Sequence, residues 1–229
     1  MLIGGFQKSS LVDYPGKICA IVFTQGCGFR CGYCHNPELV DPKKFTEPIP
    51  AEEILSFLKT RKGKLDAVEI TGGEPTRQAD LIEFLQKIKE LGFLVKLDSN
   101  GSRPEIIQKV LDLKLADYLA MDVKAPLERY QEITNSKIDP GKIKQSVKII
   151  MNSGADYEFR TTVVKGQLGP ADFAKIGELI KGAKLHIFQK FAPSKTNDPK
   201  FLKRETYSDE EFEEFRQLME QYVQKCFVR

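Results

Sequence analysis

Residues 66–75 read Asp-Ala-Val-Glu-Ile-Thr-Gly-Gly-Glu-Pro (DAVEITGGEP). The first six alternate around an apolar core and predict a short strand. The glycine pair and the glutamate then predict a polar turn at its C-terminal end. The same arrangement recurs on both sides of this stretch. ICAIVFT (18–24) runs into Gln25-Gly26-Cys27, and FLVKLDSNG (93–101) into Asp98-Ser99-Asn100. YLAMDVKAP (118–126) carries Asp122 and Lys124 and stops at Pro126. YEFRTTVVKG (157–166) and KLHIFQKFAP (184–193) read as the fifth and sixth strands. Helical spacing lies between: Ile54, Leu55 and Leu58 share one face, as do Leu81, Leu85, Ile88 and Leu91 before Gly92. RPEIIQKVLDLK, PGKIKQSVKIIMNSG and PADFAKIGELIKGA continue the alternation, and Ser208 caps a last amphipathic helix.

Strands separated by helices imply parallel pairing with right-handed crossovers. Polar residues at the C-terminal rim of every strand are the habit of a barrel, whereas an open doubly wound sheet gathers them at one switch point. The expected fold is therefore α/β, a partial (β/α)6 TIM-like barrel with parallel strands, open on one side. One domain over 1–229 is expected, with a lead-in at 1–17 and a C-terminal helix at about 208–226.

Composition is that of an ordinary globular protein, with 41% hydrophobic and 29% charged residues. A net charge of +3 gives no argument for nucleic acid as a partner. No apolar run approaches a membrane span, and MLIGGFQKSSLVDYPGK does not read as a signal peptide, so a cytoplasmic location without membrane partners is expected.

Five cysteines do not make a disulfide framework, and three of them fall in CGFRCGYCHN (27–36), spaced C-x3-C-x2-C. Thiolates at Cys27, Cys31 and Cys34 suit zinc, copper(I) or iron–sulfur. A structural zinc site closes at four ligands, and His35 abuts Cys34 too tightly to serve the same ion. A zinc reading stays open beside a cluster with one iron left free. Cys19, in a strand, and Cys226, assigned to the last helix, read as buried packing residues.

CGFRCGYCHN resembles the cluster loop of the radical S-adenosylmethionine (SAM) superfamily, whose fold is a six-stranded partial barrel. The resemblance implies a [4Fe–4S] cluster on Cys27, Cys31 and Cys34, with SAM chelating the open iron. Reductive cleavage of SAM would give a 5′-deoxyadenosyl radical. Gly72, Gly73 and Glu74 are similar to the motif that holds the SAM amino group, and Tyr33 matches the aromatic position beside the adenine. Ser99 and Asn100 lie in a turn similar to one contacting the ribose. Taken on their own, these residues would equally suit a glycine turn with a solvated Glu74, simple packing and an Asn-Gly turn.

Cys34-His35-Asn36, the lead-in Val12-Asp13-Tyr14-Pro15-Gly16, Asp122-x-Lys124 and the strand bearing Arg160 are similar to the activases of glycyl-radical enzymes, and to the longer type of anaerobic ribonucleotide reductase activating protein. The resemblance implies that Lys124 and Arg160 face the SAM carboxylate. Pairs of Lys124 with Asp122 and of Arg160 with Glu158 are the plain alternative. It also implies Asp98 and Asp122 near SAM, holding a monovalent cation. The sixth strand lacks a histidine found in the pyruvate formate-lyase activase, with Gln189 or Lys190 as substitutes. The implied partners are a glycyl-radical enzyme as protein substrate and a flavodoxin or ferredoxin as electron donor. A radical SAM enzyme of the 7-carboxy-7-deazaguanine synthase type, acting on a small molecule, and a zinc-binding non-enzymatic protein are the competing functions.

Overall fold

A computed structural model describes residues 1–229. Its eight strands form one sheet in sequence order, β1 to β8. Six of them are the expected ones: β2 (Cys19–Thr24), β3 (Ala67–Gly72), β4 (Leu94–Ser99), β5 (Tyr118–Asp122), β6 (Asp156–Val163) and β7 (His186–Lys190). All five junctions between them are parallel. Helices α2 (Ala51–Lys59), α3 (Leu81–Glu90), α4 (Pro104–Asp112), α6 (Pro140–Met151) and α7 (Pro170–Leu179) lie in the crossovers. The edges β1 and β8 do not pair, so the barrel stays open on one side. No helix is long and apolar enough to cross a membrane.

Two strands were not foreseen. The lead-in holds β1 (Ile3–Ser10), antiparallel to β2. The final helix, α8 (Asp209–Met219), is shorter than the 208–226 expected, and the chain then turns into β8 (Cys226–Val228), parallel to β7. Cys226 thus belongs to a strand. Ser208 does cap α8, in a reciprocal capping box with Glu211. Two short helices, α1 (Pro37–Val40) and α5 (Tyr130–Thr134), also escape the sequence reading. At four and five residues they are too short to show a period.

Alternation along the strands sorts the side chains. Val68 and Ile70 of β3, Val95 and Leu97 of β4, and Leu119 and Met121 of β5 join the 48-residue core under the helices. Their neighbours point the other way, into the barrel. At its N-terminal end Tyr14, Cys19, Ile21, Ala67, Tyr118 and Ala120 pack as a small apolar floor. Above the floor the inward residues become charged, where a closed TIM barrel would stack branched apolar layers.

Candidate active site

A cavity of about 500 Å³ occupies the barrel mouth. Its lining includes Cys27, Cys31 and Cys34 from the loop after β2, Gly72 to Glu74 after β3, Asp98 to Asn100 after β4, Asp122 and Lys124 at β5, and Arg160 of β6. The strands therefore bring every sequence-predicted site residue, Tyr33 among them, to one space.

The turn after β3 is built around a close approach. Gly72 has φ +105°, and a Cβ there would sit 2.5 Å from the Thr24 amide nitrogen. A Cβ on Gly73 would collide with the Gly26 carbonyl oxygen and lie 3.0 Å from that of Leu39. The turn also donates to the start of the cysteine loop, Gly73 N–H to Thr24 O and Glu74 N–H to Gly26 O, each at 2.8 Å. The glycine pair thus lets the turn dock on the cysteine loop. Glu74 is not the solvated residue that a bland turn would carry. It is fully buried, and its carboxylate accepts from Thr76 N–H (3.1 Å), Ser99 Oγ–H (2.9 Å) and Asn100 N–H (2.6 Å), tying the β3 and β4 turns together. Burial raises its pKa, opposed by these donors.

Six charges form a continuous chain across β3 to β6. Lys96 Nζ bridges Glu69 (2.8 Å) and Asp98 (2.6 Å). Arg160 bridges Asp98 (2.8 Å) and Asp122 (2.9 Å), and Lys124 reaches Asp122 at 2.9 Å. The pair of Lys124 with Asp122 therefore forms. Arg160 does not pair with Glu158, which instead accepts from Tyr118 and Arg229. Burial alone would lower the pKa of Lys124 and of Arg160. Asp122 beside Lys124, and Asp98 with Asp122 around Arg160, outweigh it and hold both groups charged. Burial works against ionisation of Asp98 and Asp122 too, yet the facing cations keep both below the usual carboxylate range. Both carboxylates are thus paired with cations of the chain itself.

All five cysteines are free thiols. Burial pushes Cys27 to about 12 and Cys31 to about 11 and raises Cys34, so none is a reactive thiolate on its own. No three His, Cys, Asp or Glu side chains converge on one point as a single ion requires. Three soft donors in the lining of one cavity fit a multi-iron cluster, in which each thiolate takes its own metal. Two N–H groups face Cys27 Sγ, that of Phe29 at 3.4 Å and Asn100 Nδ2 at 3.6 Å. Donors of this kind tune cluster sulfurs. The Tyr33 hydroxyl is buried without a partner, and Lys124 Nζ lies 5.9 Å from its ring.

His35 turns away from the thiols. It stacks on Phe191 at 5.5 Å, and its Nε2 lies 2.8 Å from Ala192 O. His186, on the outward face of β7, meets Thr161 and Cys226. On β7 Gln189 lines the cavity, while Lys190 pairs with Asp209 outside it. Sequence reasoning missed Glu69, Lys96, Glu158 and Arg229 in the lining. Lone charges inside the apolar strands AVEITG and LVKLDS were the available signal for the first two.

The sequence profile of the Radical SAM superfamily matches residues 21–179. A Methanocaldococcus jannaschii protein, provisionally described as a glycyl-radical enzyme activating enzyme, is 33% identical over all of this chain and 95% of its own length. The pyruvate formate-lyase-activating enzyme of Clostridium pasteurianum is 36% identical over 53% of this chain, and the match spans about half (52%) of that enzyme. The 7-carboxy-7-deazaguanine synthase of Thermococcus kodakarensis is 26% identical over 77% of this chain and 76% of its own length. Among solved structures, Streptococcus suis SuiB bound to S-adenosylmethionine superposes on 91% of this chain and 49% of its own, with a TM-score of 0.64 at 16% identity, a likeness of fold. By profile, full-length relative and barrel, the chain belongs to the radical SAM superfamily, among the glycyl-radical enzyme activating enzymes.

Proposed function

We propose that the chain works as one radical SAM unit over 1–229. In this reading Cys27, Cys31 and Cys34 hold a [4Fe–4S] cluster, and a glycine of a partner glycyl-radical enzyme, anaerobic ribonucleotide reductase, is the substrate. When bound, the cluster and SAM supply a reductive C–S cleavage whose radical product removes hydrogen. The observation that carries the reading is the joining of three thiols, the Gly72-Gly73-Glu74 turn and a cationic pair in one cavity.

Each residue of the chain then has a task. Lys124 and Arg160 offer charge to the SAM carboxylate. Asp98 and Asp122 fix the side chains of both cations, so that they are pre-organised. The Gly72–Glu74 turn receives the amino group, Ser99 and Asn100 the ribose, and Tyr33 the adenine edge. The open side of the barrel admits a segment of a protein. No side chain needs to act as acid or base. The electron comes from a flavodoxin or ferredoxin.

The test is anaerobic incubation of the iron-loaded protein with SAM, a reductant and anaerobic ribonucleotide reductase, followed by electron paramagnetic resonance. A glycyl doublet is expected, with 5′-deoxyadenosine formed alongside it. Consumption of a pterin or purine precursor with no doublet from any glycyl-radical enzyme would replace this reading with that of a small-molecule enzyme. Zinc in place of iron and sulfide would replace it with a non-enzymatic one.

A further inference from the structure

Beyond β7 the chain runs over the outside of the cysteine loop before entering α8. This strap is fastened at several points. Phe191 stacks on His35, Lys195 pairs with Glu38 at 2.7 Å, and Asp198 N–H donates to Gly32 O at 3.0 Å. Phe201 packs on Tyr33 with ring centroids 6.3 Å apart. Its ring fills the space over Gly32, where Cδ2 would lie 2.9 Å from an added Cβ. Gly32 stands between Cys31 and Cys34, so Phe201 covers the middle of the cluster loop from the solvent side.

The strap surface is basic. Residues 190–205 hold Lys190, Lys195, Lys200, Lys203 and Arg204 against Asp198 and Glu205. Lys190 and Lys195 are already paired, with Asp209 and Glu38. Lys200, Lys203 and Arg204 are exposed and have no carboxylate partner, and the Asp198 side chain is spent capping the Lys200 backbone N–H. Between them Leu202 is 46% exposed. An exposed apolar side chain flanked along the chain by free cations suits a small docking face.

We propose that the face formed by Lys200, Leu202, Lys203 and Arg204 is where an acidic one-electron carrier protein docks to reduce the cluster. The inference rests on the reading that Cys27, Cys31 and Cys34 hold that cluster. The carrier is oxidised by one electron and the cluster reduced by one, with no group transferred. Charge sets partner choice: three unpaired cations steer an acidic surface to the strap, whose Phe201 packs directly on Gly32 and Tyr33 of the thiol loop. Association should be fast, weak and sensitive to salt, as in small electron-transfer encounters.

The experiment uses the full chain reconstituted anaerobically with iron and sulfide, and a strongly acidic bacterial flavodoxin in its fully reduced form as probe. Two triple variants change net charge equally: Lys200→Glu/Lys203→Glu/Arg204→Glu on the strap, and Lys109→Glu/Lys114→Glu/Lys148→Glu on exposed residues of the helical side. The readouts are the Kd for flavodoxin at low and high salt, and the rate of cluster bleaching by flavodoxin divided by that by dithionite. The strap variant is expected to weaken binding and lower the rate ratio about 10-fold or more, the helical-side variant less than about 3-fold. Equal losses in both variants, or none in the strap variant, would overturn the docking face while leaving the cluster reading intact. A chain that takes up no iron or sulfide would overturn both, and metal analysis shows this before flavodoxin is added.

Discussion

Arg160 stands between the buried carboxylate of Asp98 and the partly buried one of Asp122 and joins the two. Replacing it with methionine keeps most of the volume and leaves two like charges facing each other. Removing one partner from a buried ionic network costs about 3–5 kcal/mol. Arg160→Met is therefore expected to lower the urea midpoint by that equivalent at pH 7, with an unchanged m-value. The carboxylates are held low in the folded protein, so their pairing stabilises above the usual carboxylate range and fades as pH falls through it. The gap between variant and parent should accordingly hold from pH 7 to about pH 5 and narrow as pH falls below 4. A gap that stays constant would mean that the charge chain is not what Arg160 supports. Gly73→Ala makes a separate point: its Cβ meets backbone carbonyls that cannot rotate away. A loss of about 1–3 kcal/mol in urea unfolding is expected, together with lower iron uptake, because the turn it distorts docks on the cysteine loop.

At the scale of elements, β2 to β7 were legible because each joins an apolar run to a polar end. β1 was not: IGGFQKSS mixes glycine, aromatic and polar residues without alternation and becomes a strand by pairing with β2. β8, three residues long, forms because β7 offers it an edge. That edge carries a buried group with a measurable consequence. His186 is fully buried between Thr161 and Cys226, and burial lowers its pKa from 6.5 to about 3. The folded protein holds it neutral while the unfolded chain protonates it below pH 6.5. Its contribution is therefore complete above that pH and is lost progressively as pH falls toward 3. Two pH units below 6.5 correspond to about 3 kcal/mol, at roughly 1.4 kcal/mol per unit. His186→Phe removes this titration. Between pH 7 and 4.5 the parent should lose about 3 kcal/mol more stability than the variant in urea unfolding. Parallel losses would show that another group governs the acid limb.

For the molecule as a whole, the three cysteines, the glycine turn and the cationic strand ends were legible as residue types, but their mutual restraint was not. Asp98 lines the cavity, and there it is held by Lys96 of its own strand and by Arg160 of β6, two strands across the sheet. Such pairings join positions as far as 62 residues apart, and nothing local in the sequence marks them. The result is a barrel whose proposed SAM contacts are spread over the turns and ends of β3, β4, β5 and β6, next to a loop that follows β2. A ligand engaging all of them binds the folded sheet and has no counterpart in the unfolded chain. At about 100 times its Kd such a ligand stabilises by about 2.7 kcal/mol. For a domain of this size that is a rise in Tm of about 5–10 °C. SAM is expected to produce this shift in the iron-loaded protein by scanning calorimetry. The shift should shrink in Lys124→Met, whose cation is one of the two proposed to meet the carboxylate, and should be smaller for an analogue lacking the carboxylate than for SAM. An equal shift for SAM and that analogue would remove Lys124 and Arg160 from the binding site and leave their role to the charge chain alone.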